Sequence, residues 1–292
     1  MTNKTKDFFY LIRIHQYVKN LFIFFPLFFV GQILDSALFM KALIAFLAFS
    51  ISASGIYVLN DYKDIDDDKI HPKKKYRPLA SGAISKNSGI LIMLTCFVIG
   101  ITSMASLSTN GLLFLILYIV SNFFYSFYLK RIGIIDVVIV ATGFVLRILV
   151  GSAVTDVHLS MWIIIMTFLL ALFIALAKRR NDVIIFVDSG KKMRKSIDQY
   201  NLQFIDNSMI VISSVIIVSY ILYTTSPLII SQMGNNHLYI STIFVLIGLM
   251  RYSQLAYVYN DTSSPTTLLY KDKFLQLTVF CWLSFFAWII YS

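Results

Sequence analysis

The segment Asn60-Asp61-Tyr62-Lys63-Asp64-Ile65-Asp66-Asp67-Asp68 holds five of the chain's fifteen acidic residues within eight positions. All fifteen are aspartates, and the sequence contains no Glu. Asp61, Asp64 and Asp68 are spaced i, i+3, i+7, which on a helix sets three carboxylates along one face. Like charges so placed repel unless a hard divalent cation neutralises them. Mg²⁺ is the ion that takes one or two carboxylates and completes its shell with substrate phosphates. The spacing therefore predicts Asp61, Asp64 and Asp68 as metal-holding residues, with Asn60 beside them and Asp66 and Asp67 off that face as solvated acids. Five cations follow within nine residues, Lys69, Lys73, Lys74, Lys75 and Arg77, the last four bracketed by Pro72 and Pro78. Lysine and arginine take phosphate oxygens directly, arginine in bidentate fashion, and each proline fixes its own φ and gives the loop a shape. Acid and base side by side describe a site for a metal-bound diphosphate, with Lys74 and Arg77 among its ligands and His71 as a structural neighbour.

These residues must be positioned by membrane helices. Of 292 residues, 58% are apolar and 14% charged, with a mean hydropathy of +0.76, whereas soluble domains run at about 45–50% and about 25%. At about 20 residues per crossing, nine all-α spans are predicted: 18–34, 40–59, 89–107, 111–129, 134–154, 160–177, 208–226, 237–255 and 273–291. The first is the weakest and has an amphipathic lead-in from Phe8 to Val18. Nine crossings put the termini on opposite sides. The N-terminal side collects 23 of the 25 Lys and Arg residues, all but Lys41 and Arg147. Insertion governed by positive charge then makes the N-terminus and the even-numbered loops cytoplasmic. The net charge of +10 has the same origin and does not call for nucleic acid as a partner; the lipid bilayer is the partner. The N-terminal segment shows no cleavage site and is expected to be retained. Cys96 and Cys281 sit in apolar runs as small hydrophobes, which excludes a disulfide framework. No zinc spacing, nucleophilic triad or dinucleotide-binding glycine motif occurs. The chain is expected to form a single transmembrane domain over 1–292.

Arg147 lies inside the fifth span, where a cation costs about 2.5–3.5 kcal/mol and is functional by default. Asp136 stands eleven residues away, about 16 Å along the same helix, so a substrate phosphate or another helix is the expected partner. Lys130 and Arg131 end the fourth span, with Lys130 a candidate phosphate ligand. Among the 45 aromatic residues, a minority is expected to line a groove for an apolar chain.

Asn-Asp-x-x-Asp-x-x-x-Asp at the end of the second of nine helices resembles the UbiA superfamily of membrane prenyltransferases. The continuation Asp68-x-x-His71-Pro72-x-Lys74-x-x-Arg77-Pro78-x-x-x-Gly82 is most similar to its decaprenyl-phosphate phosphoribosyltransferase branch. So are Arg13-x-x-Gln16-Tyr17-x-Lys19-Asn20, Tyr125-Ser126-x-x-Leu129-Lys130 with Asp136, Phe144-x-x-Arg147-x-x-x-Gly151, and Ala171-Leu172-x-x-x-Leu176-Ala177-Lys178-Arg179-Arg180. Arg194-Lys195-Ser196-x-x-x-Tyr200 and Leu249-Met250-Arg251-Tyr252 extend the likeness over nearly the whole chain. The resemblance implies that a polyprenyl phosphate attacks C1 of 5-phosphoribosyl-1-diphosphate and releases pyrophosphate, with Mg²⁺ on the leaving group. It also implies Lys19, Tyr125, Lys130, Arg147, Lys178, Arg179 and Asp182 as further substrate-binding residues, an integral cell-membrane location and a role in cell-wall biosynthesis. Prenyltransferases proper carry a second Asp-x-x-x-Asp after the sixth span. Here that place reads Lys178-Arg179-Arg180-Asn181-Asp182, with the next acid at Asp188, which suits a phosphate better than a second metal cluster. The alternative reading is an aromatic prenyltransferase of quinone or haem biosynthesis with an allylic diphosphate donor. A lipid-phosphate transporter is disfavoured by the confinement of charge to one face. Isoprenoid length and the question of a homo-oligomer stay open.

Overall fold

The computed structural model describes residues 3–70, 74–190, 196–259 and 271–291. His71, Pro72, Lys73, Arg194 and Lys195 of the motifs above lie outside them. Among the described residues the chain is helical and without strands. Eight helices are long and apolar enough to cross a membrane: α3 (Ser36–Lys63), α5 (Lys86–Ala105), α6 (Thr109–Phe127), α7 (Ile135–Thr155), α8 (Met161–Ser189), α9 (Leu202–Thr224), α11 (Thr242–Tyr257, entered through a turn at Leu238–Ser241) and α12 (Lys273–Tyr291). They coincide with the second to ninth predicted spans. Polar side chains start several of them: Asp35 accepts from the Ala37 and Leu38 amides, Ser85 from Ser88 and Asn201 from Phe204, each satisfying orphan donors of the first turn.

The first predicted span, 18–34, is not one helix. Its place is taken by a 3-10 helix at Ile14–Phe24 and the five-residue α2 (Phe25–Phe29), preceded by α1 (Asn3–Ile12). Shorter helices α4 (Ile65–Ile70) and α10 (Pro227–Met233) complete the set. Runs of 3-10 helix beyond 3–4 residues are uncommon, and this one has eleven. Its neighbours explain it. The Tyr17 hydroxyl pairs with Ser54 Oγ at 2.9 Å, and Asn20 Nδ2 donates to Ser50 Oγ at 2.8 Å. Three residues of 3-10 helix rise about 6 Å, and so do four residues of α-helix. Steps of three on one segment therefore match steps of four on α3, running antiparallel. The same match recurs against α7, where Arg147 meets Asn20 and Gly151 meets Ile23. An α-helical 14–24 would bring Tyr17 and Asn20 only about 4.5 Å apart along the axis and lose the pairing.

The chain forms two compact units, Met1–Phe127 with Leu146–Leu159 and Tyr128–Val145 with Ser160–Ser292, so α7 is divided between them. In the first unit α3 packs on α5, the 3-10 helix, α6 and α1. Its buried face is built of small residues, including Ala45, Ala48, Ser52, Ala53 and Gly55, which let helix backbones approach closely. In the second unit α8 packs on α9, and α11 on α9 and α12, around Phe173, Leu176, Ile205, Met209 and Tyr252.

The two helices that carry the charged motifs are the two longest. The 28 residues of α3 and 29 of α8 amount to about 42 and 44 Å, against about 30 Å of hydrocarbon. Counted from the N-terminal end, the turns of α3 beyond a spanning length bear Asn60 and Asp61, while on α8 Lys178 to Asp182 straddle that length and seven further residues follow.

Candidate active site

In the first unit, α3 ends at Lys63, Asp64 forms a turn with φ −94° and ψ 11°, and α4 resumes at Ile65. The i→i−4 bonding nevertheless continues: the Asp64 amide donates to the Asn60 carbonyl, and the Asp68 amide to that of Asp64. The three acids are thus not on one uninterrupted helical face as the spacing predicted. Asp61 and Asp68 are both buried, at 2% exposure, and Asp64 is half-buried. The two buried carboxylates meet on a single atom. Arg77 Nη1 donates to Asp61 Oδ1 at 3.0 Å and to Asp68 Oδ2 at 2.7 Å. Arg77 comes from the loop after the turn at Lys74–Tyr76, its amide bonded to the Lys74 carbonyl. A second cation, Arg13 Nη2, reaches the same Asp61 Oδ1 at 2.5 Å and lies 5.0 Å from the Tyr57 ring. Arg13 sits between α1 and the 3-10 helix in the left-handed region, φ 52° and ψ 51°. That conformation costs a non-glycine residue about 1–2 kcal/mol.

Among the described residues no three carboxylate, thiol or imidazole groups are gathered closely enough to hold an ion by themselves. Two buried carboxylates already sharing one cationic nitrogen do fit a hard divalent ion whose remaining ligands are phosphate oxygens. Asp66, by contrast, forms only an exposed pair with Lys69 at 3.4 Å, in keeping with a solvated acid.

Arg147 belongs to a different centre in the same unit. It is buried, donates through Nε to Asn20 Oδ1 at 2.7 Å and through Nη2 to the Tyr118 hydroxyl at 3.3 Å, and lies about 5 Å from the Phe49 and Tyr118 rings. Asn20 is in turn bonded to Ser50. The structure therefore brings Arg147 to a polar bridge joining α7, the 3-10 helix and α3, and not to the Asp61 carboxylate. Lys19 is half-buried on the same 3-10 helix, Asn60 and Lys74 are half-buried beside the acidic turn, and Tyr125 is half-buried near the end of α6. Lys63, within the motif, donates to the Ser126 carbonyl and lies 3.8 Å from the Phe127 ring, tying the ends of α3 and α6.

In the second unit Arg179 is held between two acids. Its Nε donates to Asp136 Oδ2 at 2.6 Å and its Nη1 to Asp182 Oδ2 at 3.2 Å. Asp136 is fully buried in the first turn of α7 and accepts also from Ser196 Oγ at 3.2 Å and the Tyr200 hydroxyl at 2.6 Å. The Tyr200 oxygen accepts from the Ile134 amide, and Gln199 bonds both the Gly133 amide and the Arg131 carbonyl. Burial, and next the Asp136 carboxylate, push the Tyr200 phenol well above its ordinary range, so it keeps its proton and donates it to Asp136. Lys178 is exposed, Lys130 half-buried, and Arg180 turns instead to Asp206 at 2.8 Å and the Ala256 carbonyl at 2.6 Å. Tyr200→Phe removes one donor to a buried carboxylate and one acceptor of a backbone amide. It is expected to lower stability by about 1–3 kcal/mol, read as a fall in the unfolding midpoint of the detergent-solubilised protein.

Of the residues the sequence assigns to a site, Asp61, Asp68 and Arg77 meet in the first unit and Arg179 and Asp182 in the second; Arg13 joins the first cluster, and Asp136, Ser196 and Tyr200 the second, without having been assigned. Each of the four stands in a motif quoted above. The signal was present as residue type, while the partner of each is far away in sequence.

A decaprenyl-phosphate phosphoribosyltransferase of Corynebacterium glutamicum is 26% identical over 284 residues, which cover 96% of this chain and 85% of that protein. The enzyme of the same name from Mycolicibacterium smegmatis is 26% identical over 290 residues, covering 96% and 91%. Among solved structures, a UbiA homolog from Archaeoglobus fulgidus bound to DMAPP and Mg²⁺ superposes with a TM-score of 0.72 over 97% of this chain and 99% of that one, at 15% identity; at that identity the likeness is one of fold. The family model described as UbiA prenyltransferase family matches residues 21–271. With helices of spanning length throughout and that match over most of its residues, the chain is an integral, multi-pass membrane transferase and belongs to the UbiA prenyltransferase family.

Proposed function

We propose that the protein transfers the 5-phosphoribosyl group of 5-phosphoribosyl-1-diphosphate to a polyprenyl, decaprenyl-like phosphate in a Mg²⁺-dependent reaction. The observation that carries this reading is the shared contact of Asp61 and Asp68 with Arg77. It gathers metal-binding and phosphate-binding groups at one point, in a chain similar nearly end to end to enzymes named for that reaction. Asp61 and Asp68, with Asp64 at the turn and Asn60 one residue before, are the residues that would hold the ion. Mg²⁺, when bound there, supplies positive charge to the departing diphosphate. Arg77, Lys74 and Lys19 bind and orient phosphate oxygens. Arg147, through Asn20, holds the segment that carries Lys19. Lys130, Lys178 and Arg179 of the second unit, with Asp182 and Tyr125, are assigned to substrate. The attacking phosphate oxygen is already anionic, so no side chain is required to remove a proton, and positioning supplies most of the rate. The reading treats 1–292 as one transferase domain crossing the membrane nine times, with 14–29 as the broken first crossing, and places the N-terminus and both charged motifs on the cytoplasmic face.

The test is transfer of label from radiolabelled phosphoribosyl diphosphate to organic-extractable lipid by purified protein with Mg²⁺ and polyprenyl phosphates of several lengths. Labelled lipid is the expected result and ranks the acceptors. No labelled lipid, together with consumption of an allylic diphosphate in the presence of a hydroxybenzoate or naphthoate, would replace this function with that of an aromatic prenyltransferase.

A further inference from the structure

The geometry points to Arg13 and Arg77 as internal stand-ins for the metal: they occupy the metal-facing carboxylate oxygens until a diphosphate draws them away, so that the divalent ion enters only together with its diphosphate. The inference rests on the metal-diphosphate reading above and concerns the order in which that site fills.

Two observations carry it. The first is a count of charge at a buried point. Asp61 and Asp68 are opposed by Arg13 and Arg77, with Asp61 Oδ1 accepting from both arginines and Asp68 Oδ2 from one of them. Two negative groups meet two positive ones, so the four side chains in contact are neutral among themselves. A divalent ion added alone would meet two guanidinium groups that already compensate the two buried carboxylates, leaving the half-buried Asp64 as the acid to offset its charge. In a partly buried setting such repulsion is far stronger than in water. An ion that arrives with a diphosphate brings more negative charge than its own positive charge. It also offers oxygens to which a guanidinium fork can transfer its hydrogen bonds in bidentate fashion. The second observation is the backbone of Arg13. A left-handed arginine next to the end of a helix, φ 52°, is strained, and strain of this kind persists only where surrounding contacts hold it. The contact in view is the ion pair with Asp61, supported by the Tyr57 ring. Both side chains retain about a fifth of their exposure, 23% and 22%, against 2–3% for the acids they hold. The arginines are thus the partners with room to move, and the carboxylates are the fixed ones.

Linkage makes this testable without turnover: if diphosphate raises the affinity for the ion, the ion raises that for diphosphate by the same factor. The probe is Mn²⁺, titrated into the full-length protein in detergent and followed by electron paramagnetic resonance. Titrations are made alone and with inorganic pyrophosphate, and protein-free mixtures correct for complexation in solution. The wild type is expected to bind Mn²⁺ at least tenfold more tightly with pyrophosphate present. Arg77→Gln is expected to bind Mn²⁺ alone at least threefold more tightly than the wild type, while its affinity for pyrophosphate falls. Arg13→Gln should shift Mn²⁺ in the same direction and serves if Arg77→Gln does not fold. Arg77→Lys, which keeps the charge, should resemble the wild type toward Mn²⁺ alone. A wild type that binds Mn²⁺ equally well with and without pyrophosphate overturns the stand-in role and leaves the metal site intact. An arginine variant with unchanged or weakened Mn²⁺ binding overturns it too, because an ordinary phosphate ligand would behave that way. A wild type that retains neither probe, singly or together, overturns the metal-diphosphate reading itself.

Discussion

Asp61→Asn is expected to lower transfer of the phosphoribosyl group by about 10³-fold, the scale on which removal of one preorganised electrostatic group acts in other enzymes, with the folded protein preserved. The amide would keep the shape of the side chain and an oxygen able to accept from Arg13 and Arg77, both of which now donate to Asp61 Oδ1. What it would lack is the charge. One of the two buried carboxylates that meet at Arg77 would then contribute nothing to neutralising a divalent ion. The two arginines keep solvent access and so are not stranded. Asp64→Asn, at the half-buried turn, is expected to act in the same direction. The measurement is labelled-lipid formation at saturating Mg²⁺ together with the unfolding midpoint of each variant. Activity within tenfold of the wild type would remove Asp61 from the metal site, whatever the stability result.

The second large effect is on folding. A Cβ at Gly151 would overlap the carbonyl oxygen of Ile23 and lie 2.9 Å from its carbonyl carbon. Backbone opposes backbone there, and no rotamer change relieves it. Gly151→Ala is expected to cost about 3 kcal/mol, the upper part of the range for overpacking a filled interior. The damage should be specific: Gly151 lies one helical turn beyond Arg147, on the same side of α7, so pushing Ile23 away also stretches the bond between Arg147 and Asn20. Gly248→Ala is the control. The nearest group to its Cβ is the Thr278 methyl at 3.7 Å, an ordinary contact, and alanine favours a helix by about 1 kcal/mol over glycine. Thermal unfolding of both variants should show a clear loss for the first and no loss for the second. Equal midpoints would mean that α7 and the 3-10 helix are not packed as closely as described.

The spans from 40–59 onward were legible because each is a sustained apolar run bounded by charge, and such a run has few structural outcomes. The 18–34 segment was not, for the same reason. Phe22 to Val30 are as apolar as any spanning helix, and what decides their conformation is the pairing of Tyr17 and Asn20 with Ser54 and Ser50, more than thirty sequence positions away in one case and thirty in the other. The acidic motif was legible in composition and only partly in geometry: i, i+3, i+7 fixes a face only if the helix runs on, and it turns at Asp64. Spacing along one helix correctly separated Asp136 from Arg147. It could not find that Asp136 takes Arg179, 43 positions later, and Tyr200, 64 positions later. Arg13 was visible as part of a motif, but its ion pair with Asp61 spans 48 positions, and no local rule reaches so far.

The matched steps that hold the 3-10 helix against α3 and α7 make its length, rather than its composition, the quantity under constraint. A substitution at Tyr17 alters one tooth of a rack and leaves the others meshed. A codon gained or lost between Arg13 and Asn20 does something else. It advances every residue on the upstream side by about 2 Å and turns it by about 120°, taking Arg13 off Asp61 while Asn20 stays engaged with Arg147. The stretch thus behaves as a vernier whose zero is set by counting residues, and a gene that drifts freely in its letters there is not free to drift in their number.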